Sequence, residues 1–119
     1  MSGTSLDGID VVLLEVNEGA SFPRAAPHVG VGWSLLAFHS WPYTTEEGDR
    51  IRSALRSGGP RDLALLHTSL GEWFSRAAMT LMESVGVAPD EISAIGSHGQ
   101  TVWHEPPEAG ARGSSFQLG

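Results

Sequence analysis

An α/β fold follows from three features of this sequence. Two apolar runs rich in β-branched residues stand in its first third. A long central segment carries its apolar residues at helical spacing. Short apolar runs return after it, so helices and strands share one chain. The order read from the sequence is strand, strand, helix, helix, strand and the beginning of a further strand. That order predicts helices packing on a sheet.

Each element has a local reason. Ile9 to Val16 reads as a buried strand, dense in Ile, Val and Leu and closed by the turn residues Asn17-Glu18-Gly19. Residues 20–29 carry Pro23 and Pro27 and read as a loop. Val31 to Ser40 is a second strand, which Pro42 closes. Thr44 to Glu47 spells a Thr-x-x-Glu capping box, and Ile51, Ala54 and Leu55 follow at helical spacing. A helix from Thr45 to Arg56 results, ended by Gly58-Gly59-Pro60. The next helix spans Arg61 to Val85, with Asp62 to cap it and Gly86 to end it. Leu63, Leu66, Leu70, Trp73, Phe74, Ala77, Leu81 and Met82 form its apolar face. Pro89-Asp90-Glu91 is a turn. Ile92 to Gly96 is a short strand that runs into Ser97-His98-Gly99-Gln100-Thr101. Phe116 to Leu118 begins another strand.

Composition narrows the function classes. Hydrophobic residues make up 40% and charged residues 18%, which suits a folded domain rather than a disordered chain. Fourteen acidic residues against seven basic ones give a net charge of −7, the wrong sign for a protein that grips nucleic acid through phosphates. The basic residues are all Arg, so Schiff-base, P-loop lysine and serine–lysine chemistries are excluded within these residues. Cysteine is absent, which removes disulfides, thiol catalysis and cysteine-bound zinc. No apolar run approaches the roughly 18 residues of a membrane span, and the start of the sequence lacks the pattern of a signal peptide. A cytoplasmic protein with no membrane partner is the expectation.

Two segments carry chemistry. The first is Met1-Ser2-Gly3-Thr4-Ser5-Leu6-Asp7-Gly8-Ile9-Asp10. Gly3 and Gly8 allow close backbone approach, while backbone N–H groups and the Thr4 and Ser5 hydroxyls can donate to phosphate oxygens. Asp7 and Asp10 suit Mg²⁺, which takes few carboxylates together with phosphates. The two glycines have the spacing of a Walker loop, but Ile9-Asp10 follows where Lys-Ser/Thr is required, and a strand follows where a helix is required. A plain turn rich in Gly, Ser and Asp is the competing reading.

The second segment is Gly96 to His104. It delivers Ser97, His98, Gly99 and Gln100 to the end of a strand, where open α/β sheets bind ligands. His98 and Gln100 both donate and accept, which suits a polyol or amino sugar. Ile95 breaks the G-x-S-x-G pattern of a hydrolase, and His98 and His104 have no third metal ligand beside them. A loop with a structural histidine is the competing reading. Gly30-x-Gly32 lacks the third glycine of a dinucleotide site. Trp33, Trp41 and Trp103 either stack on a sugar or fill a corner, and the corner is the simpler reading. His28, His39 and His67 have no visible companions, and Glu46 and Glu47 belong to the helix cap.

MSGTSLDGID and, some distance on, IGSHGQTVWHEP and SFQLG together resemble the anhydro-N-acetylmuramic acid kinase family. The MSGTS-x-DG-x-D and SHGQT motifs stand in that family's order, and Val87 to Ile92 is similar to its approach to SHGQT. The resemblance implies a partial ribonuclease-H-like lobe of an actin-like ATPase fold, with β-hairpin strands, two helices and further strands. It implies ATP-dependent phosphorylation of 1,6-anhydro-N-acetylmuramic acid with hydrolytic opening of the anhydro ring. The product is N-acetylmuramic acid 6-phosphate, in cell-wall recycling. ATP and Mg²⁺ are the implied cofactors, and a homodimer of the full-length protein is allowed.

By the same resemblance, Gly3, Thr4, Ser5, Leu6, Asp7, Gly8, Ile9 and Asp10 form the first phosphate-binding loop, with Asp7 and Asp10 toward Mg²⁺. Ser97, His98, Gly99 and Gln100 line the sugar side. The family's general base is an Asp in a later segment, and nothing here matches it. The family also carries a short strand ahead of MSGTS, and a second lobe. Residues 1–119 are therefore expected to be the N-terminal part of the first lobe of a two-lobe kinase, inactive alone. The alternative is a nucleotide- or sugar-binding module without catalysis.

Overall fold

The computed structural model describes residues 6–18, 31–108, 110 and 112–119. The order of elements is β1 (Gly8–Glu18), β2 (Val31–Pro42), α1 (Thr45–Ser57), α2 (Pro60–Val85), β3 (Gln100–Glu105) and β4 (Ser114–Leu118). A 3₁₀ turn at Pro89–Glu91 lies between α2 and β3. The first four elements and the last strand stand in the order expected from the sequence, but the third strand is Gln100–Glu105 and not residues 92–96. The strands form two separate antiparallel pairs, β1 with β2 and β3 with β4, rather than one sheet.

Both helices start as their sequences dictate. The Thr44 hydroxyl accepts from the Glu47 N–H at 3.2 Å, and the Glu47 carboxylate accepts from the Thr44 N–H at 2.9 Å. This reciprocal cap satisfies two donors that a helix start leaves without partners. At α2, Gly59 is the cap and Pro60 the first helical residue. Asp62 does cap this helix, but from its third position, accepting from the Gly59 N–H at 2.9 Å. Gly86 ends α2 in the left-handed region at φ 71, and the Val87 N–H donates back to the Met82 carbonyl at 3.0 Å.

The core lies where α1, α2 and the second strand pair meet. Ile51 and Ala54 of α1 pack with Leu66, Leu70 and Trp73 of α2, and with Val102 and Leu118 of β3 and β4. Leu6, Ile9 and Tyr43, at the base of the first hairpin, pack against this cluster. The α2 face read from periodicity is therefore correct, with Leu63 and Phe74 at its partly buried margin.

Two expectations fail. The run from Ile9 to Val16 is not a buried strand. Ile9, Val11 and Leu13 are half-buried, while Val12, Leu14 and Val16 are exposed. Successive strand residues point to opposite faces, and a two-stranded sheet with a helix on one face leaves the other face open. Nor do residues 92–96 form a strand. They are irregular, and Ile95 is 76% exposed. A strand requires a hydrogen-bonded neighbour, and among the described residues none pairs with this stretch.

Candidate functional site

The two chemically suggestive segments meet the fold at the base of the first hairpin and at the start of β3. Gly3, Thr4 and Ser5 lie outside the described residues. From Leu6 onward the first segment splits its side chains between core and surface. Leu6 and Ile9 pack inward against the core cluster, while Asp7 and Asp10 are exposed. Gly8 pairs with Pro42 across the hairpin, and a Cβ there would stand 2.2 Å from the Trp41 carbonyl oxygen. Only a residue without a side chain fits this crossing. The apolar residues thus anchor the segment while both carboxylates stay exposed.

The second segment is a turn rather than a strand end. The Ser97 hydroxyl accepts from the Gly99 N–H at 3.1 Å. Gly99 sits at φ 70, and a Cβ on it would lie 2.6 Å from the Leu118 carbonyl oxygen. Ser97 and Gly99 therefore shape the turn, and SHGQT enters β3 rather than leaving a strand. His98 stands exposed between them and makes no hydrogen bond among the described residues. Gln100 goes the other way: it is 8% exposed and bonded on both ends of its amide. Its Oε1 accepts from the Tyr43 hydroxyl at 3.0 Å, and its Nε2 donates to the Thr101 carbonyl at 3.1 Å.

Tyr43 was not legible as a site residue. It is the only tyrosine in the sequence, placed between a strand-ending proline and a helix cap. That position gave a weak signal, because its partner lies 57 residues on. Its backbone N–H also donates to the Asp7 carbonyl at 3.4 Å. One residue therefore touches both candidate segments. Its ring meets Trp73 edge-on, with centroids 6.0 Å apart. Burial, with a smaller contribution from the negative charge of Glu47, pushes the phenol from 10.0 up to about 12.

Other candidates resolve more simply. No three His, Asp or Glu side chains gather into a metal site among the described residues. The His104 ring meets the Ser115 hydroxyl at 2.7 Å across β3 and β4. Trp33 and Trp103 do not fill corners; both are mostly exposed, on sheet faces with nothing over them among the described residues. Trp41 is half-buried opposite Ile9, with its ring 4.1 Å from that of His39. A depression along α1, lined by Asp49, Arg52, Ser53, Arg56 and Ser57, includes neither candidate segment. No helix among the described residues is long and apolar enough to cross a membrane.

Comparison with known proteins agrees with the motif resemblance. The family model for anhydro-N-acetylmuramic acid kinase matches residues 1–119. A protein of that name from Synechococcus elongatus is 38% identical over 122 residues, covering 100% of this chain and 29% of the relative. One from Photobacterium profundum is 37% identical over 112 residues, covering 89% of this chain and 26% of the relative. One from Gloeobacter violaceus is 36% identical, covering 100% of this chain and 30% of the relative. The chain thus spans about three-tenths of the curated relatives it matches.

Proposed function

The chain belongs to the anhydro-N-acetylmuramic acid kinase family, and on that premise we propose that it contributes part of the active site of an ATP-dependent sugar kinase. The substrate is 1,6-anhydro-N-acetylmuramic acid, the products N-acetylmuramic acid 6-phosphate and ADP, and the setting peptidoglycan recycling. The family match across residues 1–119 carries this reading. The exposed carboxylates of the first loop and the tightly built SHGQT turn support it.

Residues 3–10 hold the phosphates of ATP. Exposed Asp7 and Asp10 fit a hydrated Mg²⁺, which offsets phosphate charge when bound. Of the four residues Ser97, His98, Gly99 and Gln100 on the sugar side, exposed His98 is the one able to reach a hydroxyl, while Ser97 and Gly99 shape its turn and buried Gln100 braces that turn from the core. Water adds to the anomeric carbon, and the bond to the bridging oxygen breaks. The freed O6 takes the γ-phosphoryl group in line, and ADP leaves. A general base must take the proton from that water. We assign it to a carboxylate beyond these residues and give the role to neither Asp7 nor His98.

In domain terms, residues 1–119 are the N-terminal part of the first of two lobes. Apolar side chains left open on both strand pairs, such as Val16, Trp33, Trp103 and Phe116, suit burial by the rest of such a protein. Taken alone, the chain is a binding part rather than a complete catalyst.

The test is ADP release with the anhydro sugar. The full-length protein turns over and residues 1–119 alone do not; turnover by these residues alone would refute this division. Asp7→Asn in the full-length protein should lower ATP turnover by roughly tenfold or more while leaving its melting temperature unchanged. Unchanged kinetics would reduce the first loop to a turn.

A further inference from the structure

We propose that Tyr43 is a positioning residue that fixes the separation between the loop at Asp7 and the turn at Gln100. The proposal rests on the kinase reading, since it concerns how the phosphate side and the sugar side of one site are held in register.

The geometry is specific. The Tyr43 N–H donates to the Asp7 carbonyl, so the residue is fastened to the first loop through its backbone. Its side chain crosses the core margin, edge-on to Trp73, and ends at the Gln100 amide. The direction of that last bond follows from chemistry. The Thr101 carbonyl can only accept, so the Gln100 amide turns its Nε2 toward it. Oε1 is left facing the Tyr43 hydroxyl, which must then donate. The raised ionisation of the phenol keeps this proton in place through any physiological pH. Gln100 also begins β3 opposite Leu118, whose backbone lies against Gly99. Orienting Gln100 therefore orients the turn that carries His98.

This matters because phosphoryl transfer depends on alignment. An error of about 1 Å between reacting groups costs roughly a hundredfold in rate. A strut acts on that alignment without touching either substrate.

The experiment uses the full-length protein and measures kcat and KM for ATP and the anhydro sugar, with melting temperature as a control. Tyr43→Phe keeps the ring against Trp73 and removes only the hydroxyl. We expect kcat to fall roughly tenfold while both KM values stay within about threefold. The change also strands a buried acceptor on Gln100, which by itself lowers stability. The double variant Tyr43→Phe with Gln100→Met removes both partners and restores the melting temperature. In the Gln100→Met background, Tyr43→Phe should cause no further loss of kcat, as expected of two residues acting through one bond. Wild-type kcat in Tyr43→Phe would overturn the proposal. So would an equal loss in both backgrounds, which would mean that the hydroxyl acts independently of Gln100. No turnover by the wild-type protein would instead overturn the kinase reading, and this proposal with it.

Discussion

Leu70 on α2 is fully enclosed, while Trp33 on β2 keeps 64% of its surface open to solvent. The residues are comparably apolar in purpose, and the difference lies in what surrounds their elements. α2 lies between α1, the second strand pair and the base of the first hairpin, so its apolar face meets partners along much of its length. The β1–β2 hairpin meets this core chiefly at one end, through Leu6, Ile9 and Tyr43. Further along, α2 lies against one face of β1 and β2, leaving Val11 and Leu13 half-buried while the other face stays open. The hairpin's anchored end is also where Asp7 and Asp10 emerge, so the rigid part of an otherwise open element carries the candidate ligands.

The contrast can be broken by mutation. Leu70→Ala should cost most, about 3 kcal/mol, because it opens a cavity in a closed core. Denaturant unfolding measures it, and a loss below about 1 kcal/mol would mean that the helical half is not the stable one. Gly8→Ala comes next, at about 2 kcal/mol, because its Cβ would run into the Trp41 carbonyl. The same unfolding experiment reads it, and the hairpin base should separate without disturbing the α1–α2 contact.

Alkaline pH offers a milder probe of the junction between the two regions. The Tyr43 phenol is raised from 10.0 to about 12, so the unfolded chain loses this proton first. Stability from this group is whole below about pH 10 and falls as pH rises toward 12. Tyr43→Phe should flatten that decline in a pH series of thermal melts. A decline unaltered by the substitution would place its origin elsewhere. Leu14→Ser, on the outer hairpin face, should change the stability of this chain by no more than about 0.5 kcal/mol. A loss matching that of Leu70→Ala would show that the outer face is covered.

Much of the fold was readable because its signals are local. The Thr44–Glu47 box, the α2 stripe and Gly86 act within one or two helical turns, and each is found where the sequence put it. The candidate segments were readable as segments, and the family match covers them. Their internal division of labour was not. Nothing in Ser97-His98-Gly99-Gln100 says that the glutamine turns into the core while the histidine stays out. That split is decided by Tyr43 and Leu118, which are brought there only by folding.

The sequence by itself determined the first two strands, the two helices and their ends, the buried stripe of α2 and the family, since each depends on residue type at short spacing or on a contiguous motif. Tertiary structure alone decided that Ile9 to Val16 is buried on one face only and that residues 92–99 have no strand partner. It also decided that a lone tyrosine joins the two candidate segments. Burial and pairing are properties of neighbours, and these neighbours are distant in the chain; periodicity shows which face of an element is apolar, but not whether anything lies against it.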